Sequence, residues 1–320
     1  VQRFIEKILS SSTPKRLIAS MNIQLVAPSG YPADLAAVKK GITFLEQHGH
    51  TVRAGQVTNR RYQRFAGNEA DRLADINGIA DLPNEVDAVM AVRGGYGISR
   101  LLPQIDFNRL AARIQNTNIQ LIGHSDFSIL QLALLKYGVA SYSGPMLCSD
   151  FGYDQPNPVM FESFSTAISG KALKYSFTSD VEYQIQLEGI VWGGNLSVMM
   201  SLLGTPYFPK IEQGILLIED VNEHPYRIER MLLQLHYAGV LSKQKALILG
   251  DFSNYRLTSY DQDYDLLAMR RYIQDILPIP VISGFPFGHI AHKLTVPIGM
   301  PATLCVKGKH ADLSWPARSA

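Results

Sequence analysis

The chain has 320 residues, 46% of them hydrophobic, and a mean hydropathy near zero, enough to bury a full core without a disulfide or metal staple. Its 30 basic and 28 acidic residues give a net charge of +2, with no basic patch interleaved with aromatics, so nucleic acid is not an expected partner. No apolar run approaches the roughly 18–20 residues of a membrane helix; Cys148 and Cys305 lack C-x-x-C spacing and read as small core residues in a reducing compartment, the cytoplasm.

Residues 1–20 carry a Ser10-Ser11-Ser12-Thr13-Pro14 break and no apolar stretch long enough for a signal peptide, and are read as a leader or extension. An apolar strand at 23–26 runs into Ala27-Pro28-Ser29-Gly30. A helix over 33–47 follows, with Leu35, Val38, Ile42 and Leu45 on one face and a stop at Gly49. Residues 52–57 predict a second strand, and 69–79 a polar helix. The buried strand 86–92 ends in Arg93-Gly94-Gly95-Tyr96-Gly97. A further strand, 119–122, turns sharply at Gly123-His124-Ser125-Asp126 and continues as a helix that stops at Gly138.

This alternation predicts an α/β fold: a doubly wound, mostly parallel, flavodoxin-like sheet in an N-terminal domain, residues 21–170, closed by a helix at 159–168. Ligands in such sheets bind beyond the carboxyl ends of the strands, where the glycine and serine turns both lie. Residues 171–183 are read as a linker. Residues 184–320 form a second domain with strands at 187–191, 214–218, 246–249 and 281–282 and helices near 196–203, 228–238 and 266–276.

Strand, tight turn with serine, then helix is the context of a nucleophile elbow, although Phe127 stands where G-x-S-x-G has its second glycine. The bland alternative is a βα turn capped by Ser125 or Asp126. A serine nucleophile needs a base, and the base an orienting partner. Glu219 ends the apolar run 215–218, and His289 lies in the loop Phe285-Pro286-Phe287-Gly288-His289. Glu219 could instead cap the next helix, and His289 could bond a carbonyl. Backbone N–H groups of Asp126 and of Gly94 or Gly95 are candidate oxyanion donors. His124 should point away from Ser125 and act as a structural partner rather than the base. The pair His289/His292 lacks a third ligand or H-E-x-x-H context, so no metal site is expected. Trp192-Gly193-Gly194-Asn195 either lines a substrate cleft or is a turn with Asn195 as helix cap. Arg227 and Arg230 offer positive charge near Glu219, or a solvated helix face.

Seven pieces together resemble the LD-carboxypeptidases, serine peptidases that act on murein peptides. They are Val26-Ala27-Pro28-Ser29-Gly30, Arg93-Gly94-Gly95-Tyr96-Gly97, Gly123-His124-Ser125-Asp126-Phe127-Ser128, Ser143-Gly144-Pro145-Met146, Trp192-Gly193-Gly194-Asn195-Leu196, Ile218-Glu219-Asp220 and Phe287-Gly288-His289. The resemblance implies Ser125 as nucleophile, His289 as general base and Glu219 as its orienting acid, with Gly95 and Asp126 N–H groups at the oxyanion. It implies release of the terminal D-alanine from a murein tetrapeptide, at the bond to the L-centre of meso-diaminopimelate, by a cytoplasmic homodimer that needs no metal or cofactor. Trp192, Asn195 and Arg230 are the candidate substrate contacts. Relatives that hydrolyse microcin-type peptidyl nucleotides share the triad, and there Trp192 would stack a base. A non-catalytic flavodoxin-like binding module is the reading outside enzymes.

Overall fold

The computed structural model describes residues 20–318; the leader, apart from Ser20, lies outside the described residues. In chain order the elements are β1 (Asn22–Val26), α1 (Leu35–Gln47), β2 (Thr51–Arg53), α2 (Glu69–Asn77), β3 (Ala88–Ala91), α3 (Phe107–Thr117), β4 (Gln120–Gly123), α4 (Ser128–Leu135), β5 (Ser141–Ser143) and α5 (Pro158–Ile168). Then come β6 (Leu173–Asn195), α6 (Leu196–Met200), β7 (Ile215–Val221), α7 (Pro225–Tyr237), β8 (Ala246–Ser253), α8 (Leu266–Ile276), β9 (Val281–Ile282), β10 (Val296–Ile298) and β11 (Met300–Trp315).

The first sheet has the order β10-β5-β4-β3-β1-β2. Strands β2, β1, β3, β4 and β5 run parallel, the 2-1-3-4-5 order of flavodoxin-like folds. The order reverses between β1 and β3, so the turns leaving those strands, 27–30 and 93–97, flank the crevice where such sheets bind ligands. The second sheet, β11-β6-β7-β8-β9, is parallel from β6 to β9, with β11 antiparallel to β6. The mixed α/β class expected from the alternation is therefore the one observed.

Helix α4 explains why the serine turn is central. Ile129 through Leu134 are all buried, and an all-round apolar helix has to be covered on every side. It sits in one apolar cluster with Leu121 of the first sheet and Trp192, Leu216 and Leu249 of the second. Each fully buried leucine contributes roughly 1.5–3 kcal/mol by removal from water.

Three features differ from the expectation. Residues 171–183 were expected as a linker, but from Leu173 on they form the start of β6, a 23-residue strand. The pattern was there: Leu173, Tyr175, Phe177 and Ser179 are buried while Lys174, Thr178 and Asp180 are exposed, which is period two. Helix α3 and strands β5, β10 and β11 were not anticipated. β10 comes from the far end of the chain yet pairs antiparallel with β5 of the first sheet, so the C-terminal segment closes the N-terminal sheet. Gly299, φ +86, makes the corner from β10 into β11; a Cβ there would lie 2.5 Å from Leu135. Finally, β2 stops at Arg53, short of the expected 57.

Candidate active site

Ser125 directly follows the residue after β4 and has φ +61. A non-glycine residue in the left-handed region stores strain that the surroundings must hold. Two glycines let the turn form. A Cβ on Gly123 would lie 2.3 Å from the Phe127 ring, and a Cβ on Gly94 would lie 2.6 Å from Ser125 Cβ and 2.8 Å from its Oγ. Phe127 is buried and occupies the space over Gly123, which accounts for the departure from G-x-S-x-G. After one turn of 3₁₀ helix the chain enters α4.

The Asp126 side chain, 1% exposed, ties three loops together. Its Oδ2 accepts from Ser29 Oγ at 2.6 Å and from the Ile98 N–H at 3.1 Å. Gly30 N–H donates to Gly94 O at 3.2 Å. Burial pushes the Asp126 carboxyl up, opposed by the Ser29 hydroxyl. Its role is thus to hold the 27–30 and 93–98 turns against the serine rather than to cap the helix. Its N–H, in the first turn of the 3₁₀ segment, precedes any intrahelical acceptor. Gly95, φ +109 and exposed, has an N–H with no backbone acceptor among the described residues.

Glu219 and His289 meet. His289 Nδ1 lies 2.8 Å from Glu219 Oε2; the histidine side chain is 22% exposed and the glutamate fully buried. Glu219 sits within β7 where its pairing with β8 slips, between Ile218 and Asp220. The slip aims Glu219 toward the histidine loop. That loop docks on β8: the Asp251 N–H donates to Phe287 O at 2.7 Å, and a Cβ on Gly288, φ +142, would crowd Asp251 O at 3.1 Å and Glu219 Oε2 at 3.2 Å. Lys293, in the same loop, forms a buried ion pair with Asp150 at 2.7 Å, and Asp150 also accepts from the Met146 N–H. Histidine loop and N-terminal half are fastened together there.

The second carboxylate oxygen is held as well. Asn195 Nδ2 donates to Glu219 Oε1 at 3.1 Å and to Asp220 Oδ1 at 3.0 Å, while Asn195 Oδ1 accepts from the Val198 N–H at 3.1 Å. Asp220 receives the Ser197 N–H at 2.7 Å; burial, then the charge of Glu219, pushes its carboxyl up to about 6. Neither acid caps α7, whose N-cap is His224. His124 is fully buried, with Nε2 3.6 Å from Glu219 Oε1, Nδ1 3.4 Å from Ser143 Oγ and its ring 4.7 Å from that of His289. Burial, then the positive charge of Lys293, holds it well below the usual histidine range, which favours the neutral form.

Donor atoms of His124, Glu219 and His289 lie within 4.8 Å of one another. Tetrahedral zinc would hold two such atoms about 3.3 Å apart. The 2.8 Å separation of His289 Nδ1 and Glu219 Oε2 is that of a hydrogen bond instead.

Of the three expected substrate contacts, Trp192 and Asn195 are buried and Arg230 is exposed. Trp192 is 0% exposed; its Nε1 donates to Gln244 Oε1 at 2.9 Å and its ring packs edge-on against Phe208. It is a core residue and presents no face to a ligand. Asn195 is 3% exposed and supports Glu219. Arg230 is on the exposed face of α7, because Ile228, Met231, Leu232 and Leu235 take the buried one. It borders a depression with Leu203 and Tyr237 that contains none of Ser125, Glu219 and His289. Sequence reasoning missed Asp150, Lys293 and the loop-tying side chain of Asp126. Ser29 had been singled out only within its motif.

Comparison with known proteins places the chain in a family. The description "LD-carboxypeptidase N-terminal domain" matches residues 23–144, and "LD-carboxypeptidase C-terminal domain" matches 188–304. The crystal structure of a muramoyltetrapeptide carboxypeptidase from Oxalobacter formigenes superposes with a TM-score of 0.87 at 39% identity, covering 93% of this chain and 100% of that one. A probable murein peptide carboxypeptidase of Bacillus subtilis is 30% identical over 93% of each chain. The microcin C7 self-immunity protein MccF of Escherichia coli is 26% identical over 89% of this chain and 91% of its own.

Proposed function

The chain belongs to the LD-carboxypeptidase family and is a serine carboxypeptidase, and on that premise we propose that it releases the terminal D-alanine from murein tetrapeptides. In this reading His289 takes the proton of Ser125, whose Oγ attacks the carbonyl of the L-centre of diaminopimelate. Glu219 fixes the imidazole tautomer and stabilises the imidazolium. The N–H groups of Asp126 and Gly95 receive the oxyanion, each contributing about 2.7–4 kcal/mol by analogy with measured donors. His289 then protonates the departing amine, and water hydrolyses the acyl-enzyme. The observation that carries the reading is the 2.8 Å bond between His289 and a fully buried Glu219, formed in the same cluster as the residue preceding a strained Ser125.

The reading extends to a homodimer in the cytoplasm built of two domains. The two unpaired cysteines fit a reducing compartment, and no helix among the described residues is long and apolar enough to cross a membrane. Peptidyl-nucleotide hydrolysis by the same triad is the second reading. Burial of Trp192, the residue that would have stacked a base, favours the peptide. The test is mass spectrometry of purified murein tetrapeptide after incubation with the protein. Loss of one alanine is expected. An intact peptide, with cleavage of a peptidyl nucleotide under the same conditions, would transfer the assignment to the second reading.

A further inference from the structure

A cleft beyond the ends of β7 and β8 has no role in the account so far. Asn222 follows β7 and Asn254 follows β8, both in the left-handed region (φ +61 and +60), and the Asn222 N–H donates to Ser253 O at 2.9 Å. The two segments therefore turn side by side. Between them opens a cleft of about 700 Å³ bordered by Tyr226, Arg227, Tyr255 and Arg256. His224 fixes its shape. Its Nε2 is 3.1 Å from Asp261 Oδ1, and Asp261 also accepts from Thr258 N–H and Oγ at 2.6 and 2.8 Å, which pins the loop carrying Arg256 to the start of α7.

The positive charge in this cleft is largely uncommitted. Arg227 donates from Nε to Tyr226 Oη at 3.2 Å, and its acidic neighbour Glu223 is 3.8 Å away. Arg256 is exposed and forms no ion pair among the described residues. Two guanidinium groups beside two phenols suit a carboxylate, which a planar fork can grip with two parallel hydrogen bonds.

Position says which carboxylate. Residue 222 is three residues beyond Glu219, and 254 is three beyond Asp251, at most about 11 Å of extended chain. Asp251 in turn holds the His289 loop through Phe287 O. The imidazole returns its proton to the leaving amine, so the leaving residue lies on the histidine side of the scissile bond. That is the side of this cleft. In a carboxypeptidase the leaving residue carries the free chain end. We infer that Arg256, with Arg227 beside it, grips the terminal carboxylate of the substrate, making this cleft the subsite that restricts cleavage to chain ends. The inference rests on the carboxypeptidase reading of the triad.

The test uses the Ser125→Ala protein, titrated calorimetrically with murein tetrapeptide ending in free D-alanine and with the same peptide as its D-alaninamide. Arg256→Met should weaken binding of the acid about ten- to hundredfold and leave the weaker binding of the amide unchanged. Arg227→Met should act in the same direction with a smaller effect. Unchanged binding of the acid, or equal weakening of acid and amide, overturns the assignment. If the wild-type protein cleaves the peptide while Arg256→Met binds the acid normally, only the cleft assignment falls. If the wild-type protein leaves the peptide whole and the Ser125→Ala protein binds neither form, the carboxypeptidase reading falls and takes the cleft with it.

Discussion

Replacing Gly94 by alanine adds one methyl group at the point where the glycine turn meets Ser125, the proposed nucleophile. That carbon would stand 2.6 Å from Ser125 Cβ, 2.8 Å from Ser125 Oγ and 3.4 Å from Asp126 N. Carbon atoms rest at about 3.5–4.0 Å, so the overlap is about 1 Å. Gly94 is not among the residues with positive φ, so alanine fits its backbone and the effect is steric. The serine turn is held on its other side by Phe127 over Gly123 and by the Asp126 hydrogen bonds, so the shift falls on the Ser125 side chain and the 93–97 turn. Overpacking of this kind costs about 1–3 kcal/mol, and the melting temperature should fall by several degrees. A 1 Å misplacement of a reacting group costs about a hundredfold in rate. The assay is D-alanine release from murein tetrapeptide, with thermal unfolding of the same preparation. The expected result is a folded protein whose kcat is about a hundredfold lower. A Gly94→Ala protein within threefold of wild type would refute the claim that this glycine packs against the proposed nucleophile in the working enzyme.

Asn195→Ala removes two hydrogen bonds to buried carboxylates and the cap of α6; about 3–5 kcal/mol of stability should be lost, with kcat falling ten- to hundredfold, as measured by urea unfolding and steady-state kinetics. His124 gives a pH signature. Its folded pKa is depressed by burial, so the unfolded chain binds the proton more readily; the histidine's contribution is complete above about 6.5 and is lost as pH falls below that value. His124→Phe should therefore flatten the decline in melting temperature between pH 7 and pH 5, and an unaltered decline would place the acid sensitivity elsewhere.

Much of the fold was legible because its signals are local. The apolar runs of β1 and β4, each followed by a turn and a helix-period segment, and that of β3, ending in a glycine turn, indicated the parallel sheet directly. Residues 266–276 and 281–282 were expected as helix and strand, and α8 and β9 have those bounds. Failures came where the signal is long-range or partial. The alternation from Leu173 to Ser179 is a strand pattern, but the strand exists because β11, more than a hundred residues later, lies along it. The pairing of Glu219 with His289 was expected from their places at strand ends and from the family resemblance; the docking of the histidine loop on β8 that produces it is encoded by no spacing in the sequence. Trp192 misled because a tryptophan beside two glycines reads equally well as an exposed platform or a core residue; its hydrogen bond to Gln244, 52 residues away, decides for the core. Asp126 looked like a helix cap because caps are read from neighbours, whereas its partners Ser29 and Ile98 are distant in the chain.

The account turns on the hydroxyl of residue 125. Turnover of murein tetrapeptide by Ser125→Ala, followed by mass spectrometry with circular dichroism and a melting curve to establish the fold, addresses it most directly. The account predicts a fall in kcat of roughly 10⁴–10⁶ in a protein that melts like the wild type; near wild-type turnover by that variant would contradict it.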